Sequence, residues 1–229
     1  MKNQTGLIVV GLCIALAGYF VYLAIDNLSA RERVVSAKGL SERTVPADKA
    51  VWNISYCVTG NVVESLYNRL EAKKNALVTF LKKNGISDKD IVYAPAVATD
   101  RSTWYDWNEE KAAKMEQYVL TGHLTVVSGD VEKIRKLQLR QQDLLSQGVV
   151  LEGSSVTYEY TGLNSLKPDM VEEATSKARL VADKFAEDAG CTLGSIKTAR
   201  QGQFEVESDE ILPHMNHIRV VTTIEYYLK

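Results

Sequence analysis

Residues 168–190, PDMVEEATSKARLVADKFAEDAG, carry the pattern that decides the fold. Pro168 suits the first turn of a helix, and Gly190 suits the residue just past its end. Val171, Ala174, Ala178, Val181 and Phe185 recur at helical spacing, so they predict a buried stripe. The many alanines imply close approach to the layer beneath. A second helix of the same kind is expected over Val62–Lys83, with Val63, Leu66, Tyr67, Leu70, Leu77 and Leu81 on one face. Asn61 and Glu64 form a capping box before it, and Lys82-Lys83-Asn84-Gly85 closes it. A third helix is expected over Val131–Gln147, between Asp130 as cap and Gly148 as stop, with Ile134, Leu137, Leu144 and Leu145 in its stripe.

The two longer helices match at an offset of 105: Phe80 to Phe185, Gly85 to Gly190 and Ile91 to Ile196. Alternating runs surround both. Trp52, Ile54, Tyr56 and Val58 share one face of a strand; Val156, Tyr158 and Tyr160 share another. The last strand places Ile218, Val220, Thr222, Ile224, Tyr226 and Leu228 on one side. Each half reads strand, helix, strand, strand. The expectation is an α+β body with antiparallel sheets packed by long helices. Its two related lobes would cover about 33–127 and 149–228, with helix 130–147 joining them. A strand at 33–40 would be a hairpin partner for 49–59. Two irregular stretches, 99–114 and 205–216, read as loops or protruding hairpins.

Upstream, Gly6–Ile25 (GLIVVGLCIALAGYFVYLAI) is a run of 20 residues without a charge, between Lys2 and Asp26. About 20 helical residues span a bilayer core, and Tyr19 and Tyr22 would sit at an interfacial belt. The run is read as an uncleaved anchor, residues 1–30 being anchor and tether and 31–229 the body. A cleaved signal peptide is the rival reading. Its apolar region is usually about 7–15 residues, whereas Tyr19-Phe20-Val21-Tyr22-Leu23 extends the run past the small residues Ala15 and Ala17. The C-terminal flank carries Arg31, Arg33 and Lys38, so the positive-inside count alone would leave the body in the cytoplasm.

The chain has 229 residues, 27 basic and 29 acidic, and is 45% hydrophobic. A net charge of −2 argues against nucleic acid as a partner. Without residues 1–25 the count becomes 26 basic and 29 acidic, a mildly acidic body.

Few residues suggest chemistry. His214 and His217 stand three apart and could begin a metal site. However, Pro213 argues against a helix there, and zinc sites need three or four organised ligands. A metal-dependent hydrolase is therefore a remote alternative. Cys13, Cys57 and Cys191 form no paired motif. Nucleophile elbows, phosphate loops and dinucleotide fingerprints are missing. Ser41-Glu42-Arg43 and Glu109-Glu110 supply charges without an acid/base constellation. No enzyme activity, cofactor or metal is expected. Trp104, Tyr105 and Trp107 form the best surface candidate, as a contact for partners or for a second copy.

Several phrases resemble one family. They are Val35-Ser-Ala-Lys-Gly39-Leu-Ser-Glu-Arg43, Pro46-Ala-Asp48 leading to Ala50-Val-Trp-Asn-Ile54, Asn84-Gly85-Ile86 with Asp90-Ile91, and the alanine-rich helix with its exit at Gly190 and Leu193-Gly194. Gln201-Gly202 with Phe204, and Arg219-Val-Val-Thr-Thr-Ile-Glu-Tyr-Tyr-Leu228, complete the set. In order and spacing they resemble a SIMPL domain over about 33–228. Pro46-Ala47-Asp48 departs by one residue from the commoner Pro-Asp doublet. The resemblance implies a bacterial envelope protein like the 26 kDa periplasmic immunogenic proteins, with no established catalytic residue or cofactor. It also implies ring-like homo-oligomers and a link to stress responses, and it tips the orientation toward a body in the periplasm behind an inner-membrane anchor. The leading expectation is a non-enzymatic, homo-oligomeric scaffold. The alternative is a module binding a peptide or cell-wall fragment through the Trp104–Trp107 loop.

Overall fold

The computed structural model describes residues 11–22, 33–102 and 116–229. A helix, α1, covers 11–22. The body runs β1 (Val34–Pro46), β2 (Lys49–Gly60), α2 (Val63–Lys83), β3 (Ile91–Tyr93), β4 (Val97–Asp100), β5 (Tyr118–Ser128), α3 (Val131–Leu139) and β6 (Leu151–Glu159). It continues with α4 (Leu163–Asp188), β7 (Leu193–Gln201), β8 (Glu205–Ser208) and β9 (Met215–Leu228). This is an α+β fold with two antiparallel sheets. One has the order β3-β5-β2-β6, with β4 also on β5; the other has the order β1-β9-β7, with β8 also on β9.

Among the described residues no helix is long and apolar enough to cross a membrane. The ends of the apolar run, 6–10 and 23–25, lie outside the described residues.

The chain divides into two compact units. One comprises Thr44–Leu163 and Glu207–Asn216. Its core forms because β2 alternates: Ala50, Trp52, Ile54, Tyr56 and Val58 are buried, while the residues between them face outward. Leu66, Leu70, Leu77, Phe80 and Leu81 of α2 pack into the same core, with Ile134 and Leu137 of α3. The β2–β5 ladder is unbroken from Ala50↔Ser128 to Gly60↔Tyr118.

The other unit comprises Met1–Arg43, Asn164–Val206 and His217–Lys229. There Ile218, Val220, Thr222, Ile224 and Tyr226 face inward along β9. Ala37, Ala178, Ala182, Ile224 and Tyr226 form its core cluster.

Local structure departs from the sequence reading at several points. In α4 the buried residues are Met170, Ala174, Ala178, Ala182 and Ala186, while Val181 and Phe185 are exposed. Apart from Met170, the helix turns small side chains to the sheet, because Gly39 of β1 lies directly against its backbone at Ala174 and Ala178. The helix begins at Leu163, so Pro168 lies inside it. Asn61 does not cap α2: Val62 holds that position without a side-chain bond, and the Asn61 carboxamide accepts from the Gln117 amide at 2.8 Å. Asp130 does cap α3, accepting from the Lys133 amide at 3.0 Å. The expected 130–147 helix breaks at Arg140 into a 3-10 stretch, Gln141–Gln147.

The strand order also corrects the two halves. The strand at Leu151–Glu159 would open the second half, yet it pairs with β2, Trp52 facing Val156. The place beside β9 is taken by β1, the expected hairpin partner of β2. The second sheet is thus completed by the first strand of the body. Residues 205–208, within the stretch read as a loop or protruding hairpin, form β8, which pairs with β9 as a hairpin.

Candidate functional site

The phrase Gly39-Leu-Ser41-Glu42-Arg43 is explained residue by residue. Gly39 admits the α4 backbone. Ser41 is fully buried and donates its hydroxyl to Glu173 Oε2 at 2.8 Å. Arg43 meets the same oxygen at 2.6 Å, and Lys177 meets Oε1 at 2.7 Å. Lys177, then Ser41 and Arg43, hold the Glu173 carboxyl down to a pKa of about 2. Glu42 pairs with Arg219 at 3.6 Å. Asp48 accepts from the Thr161 amide at 2.8 Å and its hydroxyl at 3.0 Å, and the amide bond above all holds its pKa below the usual range. The Asp130 carboxyl is lowered by the Lys133 amide it caps. Glu173, Glu42 and Asp48 thus join separate elements, and Asp130 caps α3.

Among the described residues, two surfaces bear most on binding other molecules. The first belongs to the unit containing α4. Phe80 and Ile91 are 5% exposed, whereas the residues matched to them at the 105 offset, Phe185 and Ile196, are 57% and 53% exposed. The glycines that follow the helices do correspond, Gly85 at φ 83° and Gly190 at φ 66°. At these two matched positions the large apolar residue is buried in one unit and presented in the other, although Val63 and Tyr67 of α2, expected in its buried stripe, are exposed too. Leu180 is exposed as well.

The second surface is a groove of about 380 Å³ on the five-stranded sheet, lined by Asn53, Ser55, His123, Thr125, Gly153 and Ser155 together with backbone of their neighbours. Strand alternation places these side chains on the face opposite the Trp52 core. Ser55 lies across from both His123 and Gly153 in the ladders, and Asn53 across from Thr125 and Ser155. Thr125 donates to the Asn53 carboxamide oxygen at 2.9 Å. A bulge follows directly, since Tyr56 pairs with Leu151 and leaves Glu152 as an extra residue.

The remaining candidates scatter. Trp104, Tyr105 and Trp107 lie outside the described residues. His214 packs edge-on against Tyr158, ring centroids 6.4 Å apart, and His217 is exposed on β9. Among the described residues no cluster of three or more His, Cys, Asp or Glu could hold a metal ion. Cys57 and Cys191 are free thiols, each half-buried. The sequence reading does not reach the groove because its sides come from three strands far apart in the chain: Asn53 and Ser55 on β2, His123 on β5 and Ser155 on β6. The sole hint was a polar outer face on β2 opposite its apolar one.

Fold and surfaces define a two-sheet α+β protein whose polar clusters hold its elements together. The SIMPL family model, described as a protein of unknown function (DUF541), matches residues 35–219, and the chain belongs to that family. No curated protein matched the chain. Among solved structures, a hydrolase from Listeria innocua aligns at 14% identity over 82% of this chain and 92% of that one. Its TM-score is 0.20, too low for the likeness to carry any inference.

Proposed function

We propose that the chain is a non-enzymatic protein of the bacterial envelope that works by self-association, its body held in the periplasm by the Gly6–Ile25 anchor. The observation that carries this reading is the exposure of Phe185 and Ile196, where the matched Phe80 and Ile91 are buried. Large apolar side chains left in water at such positions favour a second protein surface. The anchor is supported by α1, on which Leu12, Ile14, Phe20 and Tyr22 are all exposed, an arrangement suited to an apolar surrounding. Glu173, Asp48 and Asp130 are each committed to fixing an element. Family resemblance adds the envelope address and the association with stress responses. In detergent extracts the full chain is expected to behave as a defined homo-oligomer; a strict monomer would count against the reading.

A further inference from the structure

The groove on the outer face of the five-stranded sheet is lined by residues of a single copy of the chain. We infer that it binds a neutral, hydroxyl-rich ligand of the saccharide class.

Thr125 occupies the Asn53 carbonyl oxygen. The Asn53 amide nitrogen, the His123 ring and the Ser155 hydroxyl make no hydrogen bond within the protein among the described residues. Ser55 is engaged only at the limit of bonding distance, 3.5 Å from the Gly153 carbonyl. Gly153 keeps that hydroxyl accessible: a methyl group there would stand 2.8 Å from Ser55 Oγ. Unpartnered amide, hydroxyl and imidazole groups thus converge on one concavity, each able to donate, and the hydroxyls able to accept as well.

The lining decides the class of ligand. A phosphate or carboxylate selects cations and donors, yet none of the lining residues is Lys or Arg. An apolar ligand would leave these groups unpaired at a cost of about 1–3 kcal/mol each. An extended peptide adds beside a free strand edge, which among the described strands of this sheet β6 offers, whereas the groove lies on the face formed by β5, β2 and β6 and not along that edge. Sugar hydroxyls both donate and accept, as this lining requires. The volume lies at the lower end of the roughly 300–1,000 Å³ typical of ligand pockets, which suits one or two rings.

The test is calorimetric titration of the full chain, in a detergent without a sugar headgroup, with cellobiose, maltose and N,N′-diacetylchitobiose, and separately with orthophosphate. At least one disaccharide should saturate with a Kd near about 1 mM or tighter. Asn53→Ala and His123→Ala should each weaken it about tenfold or more with unchanged Tm, since both side chains are exposed. Phosphate should give no saturable heat. The inference is overturned if no disaccharide saturates, if binding survives both substitutions, or if phosphate binds more tightly. Sedimentation of the same samples reports assembly separately, so failure here leaves the oligomer reading standing, and the reverse holds too.

Discussion

Gly39 abuts Ala174 so closely that a methyl group on the glycine would overlap the alanine's carbonyl oxygen and stand 2.5 Å from the Ala178 amide nitrogen. Backbone, not a side-chain end, occupies that space, so a strand glycine and a row of helix alanines form one packing device. Gly39→Ala forces helix and strand apart. Overpacking costs about 1–3 kcal/mol and sometimes more, and here the upper end is expected. Thermal unfolding should show Tm lower by roughly 6–12 °C for a chain of this size. An unchanged Tm would mean that α4 does not sit on β1 this closely.

The Glu173 clamp has a pH signature. Its folded pKa of about 2 lies below the ordinary 4.5, so its stabilisation is fully present above pH 4.5 and is lost as pH falls toward 2. Glu173→Gln removes the charge that Lys177, Ser41 and Arg43 surround. The variant is expected to melt lower at neutral pH and to lose less Tm than the wild type between pH 4.5 and 2. Melting curves across that interval check this; parallel profiles would contradict it.

Phe185 and Ile196 are exposed, so replacing them leaves the core intact. Phe185→Glu and Ile196→Glu should lower the assembled fraction without lowering Tm by more than a degree or two, given that surface changes stay near ±0.5 kcal/mol. Sedimentation velocity beside thermal unfolding separates the two effects. Loss of folding with no change in assembly would assign these residues to the core.

Orientation gives a further expectation. A tag appended after Lys229 in cells with a permeabilised outer membrane should be cut by added protease, because the proposal places the body in the periplasm. A tag protected until the inner membrane is broken would place the body in the cytoplasm.

The α+β class, the long helices and the inward faces of β2 and β9 were legible because alternation and helical spacing act locally. Trp52, Ile54, Tyr56 and Val58 are buried together, as their spacing required. The inward face of α4 was not legible. Hydrophobic size favoured Val181 and Phe185, but the contact was decided by Gly39, far away in the chain and visible only once β1 joins β9. The same exchange hid the partner of β6, since a strand's own pattern does not name its neighbour. Asn61 carried a sound capping signal, and the Gln117 amide competed for it. The groove depends on ladder register, which brings Ser55 opposite His123 and Gly153. No single segment contains that information.

Self-association of the anchored chain is the central claim, and its most direct test is the mass of the full-length protein extracted in detergent at micromolar concentration. Native mass measurement or sedimentation equilibrium should give a defined multiple of the single-chain mass, reduced toward one by Phe185→Glu. A wild-type chain that remains strictly monomeric under those conditions would contradict the account.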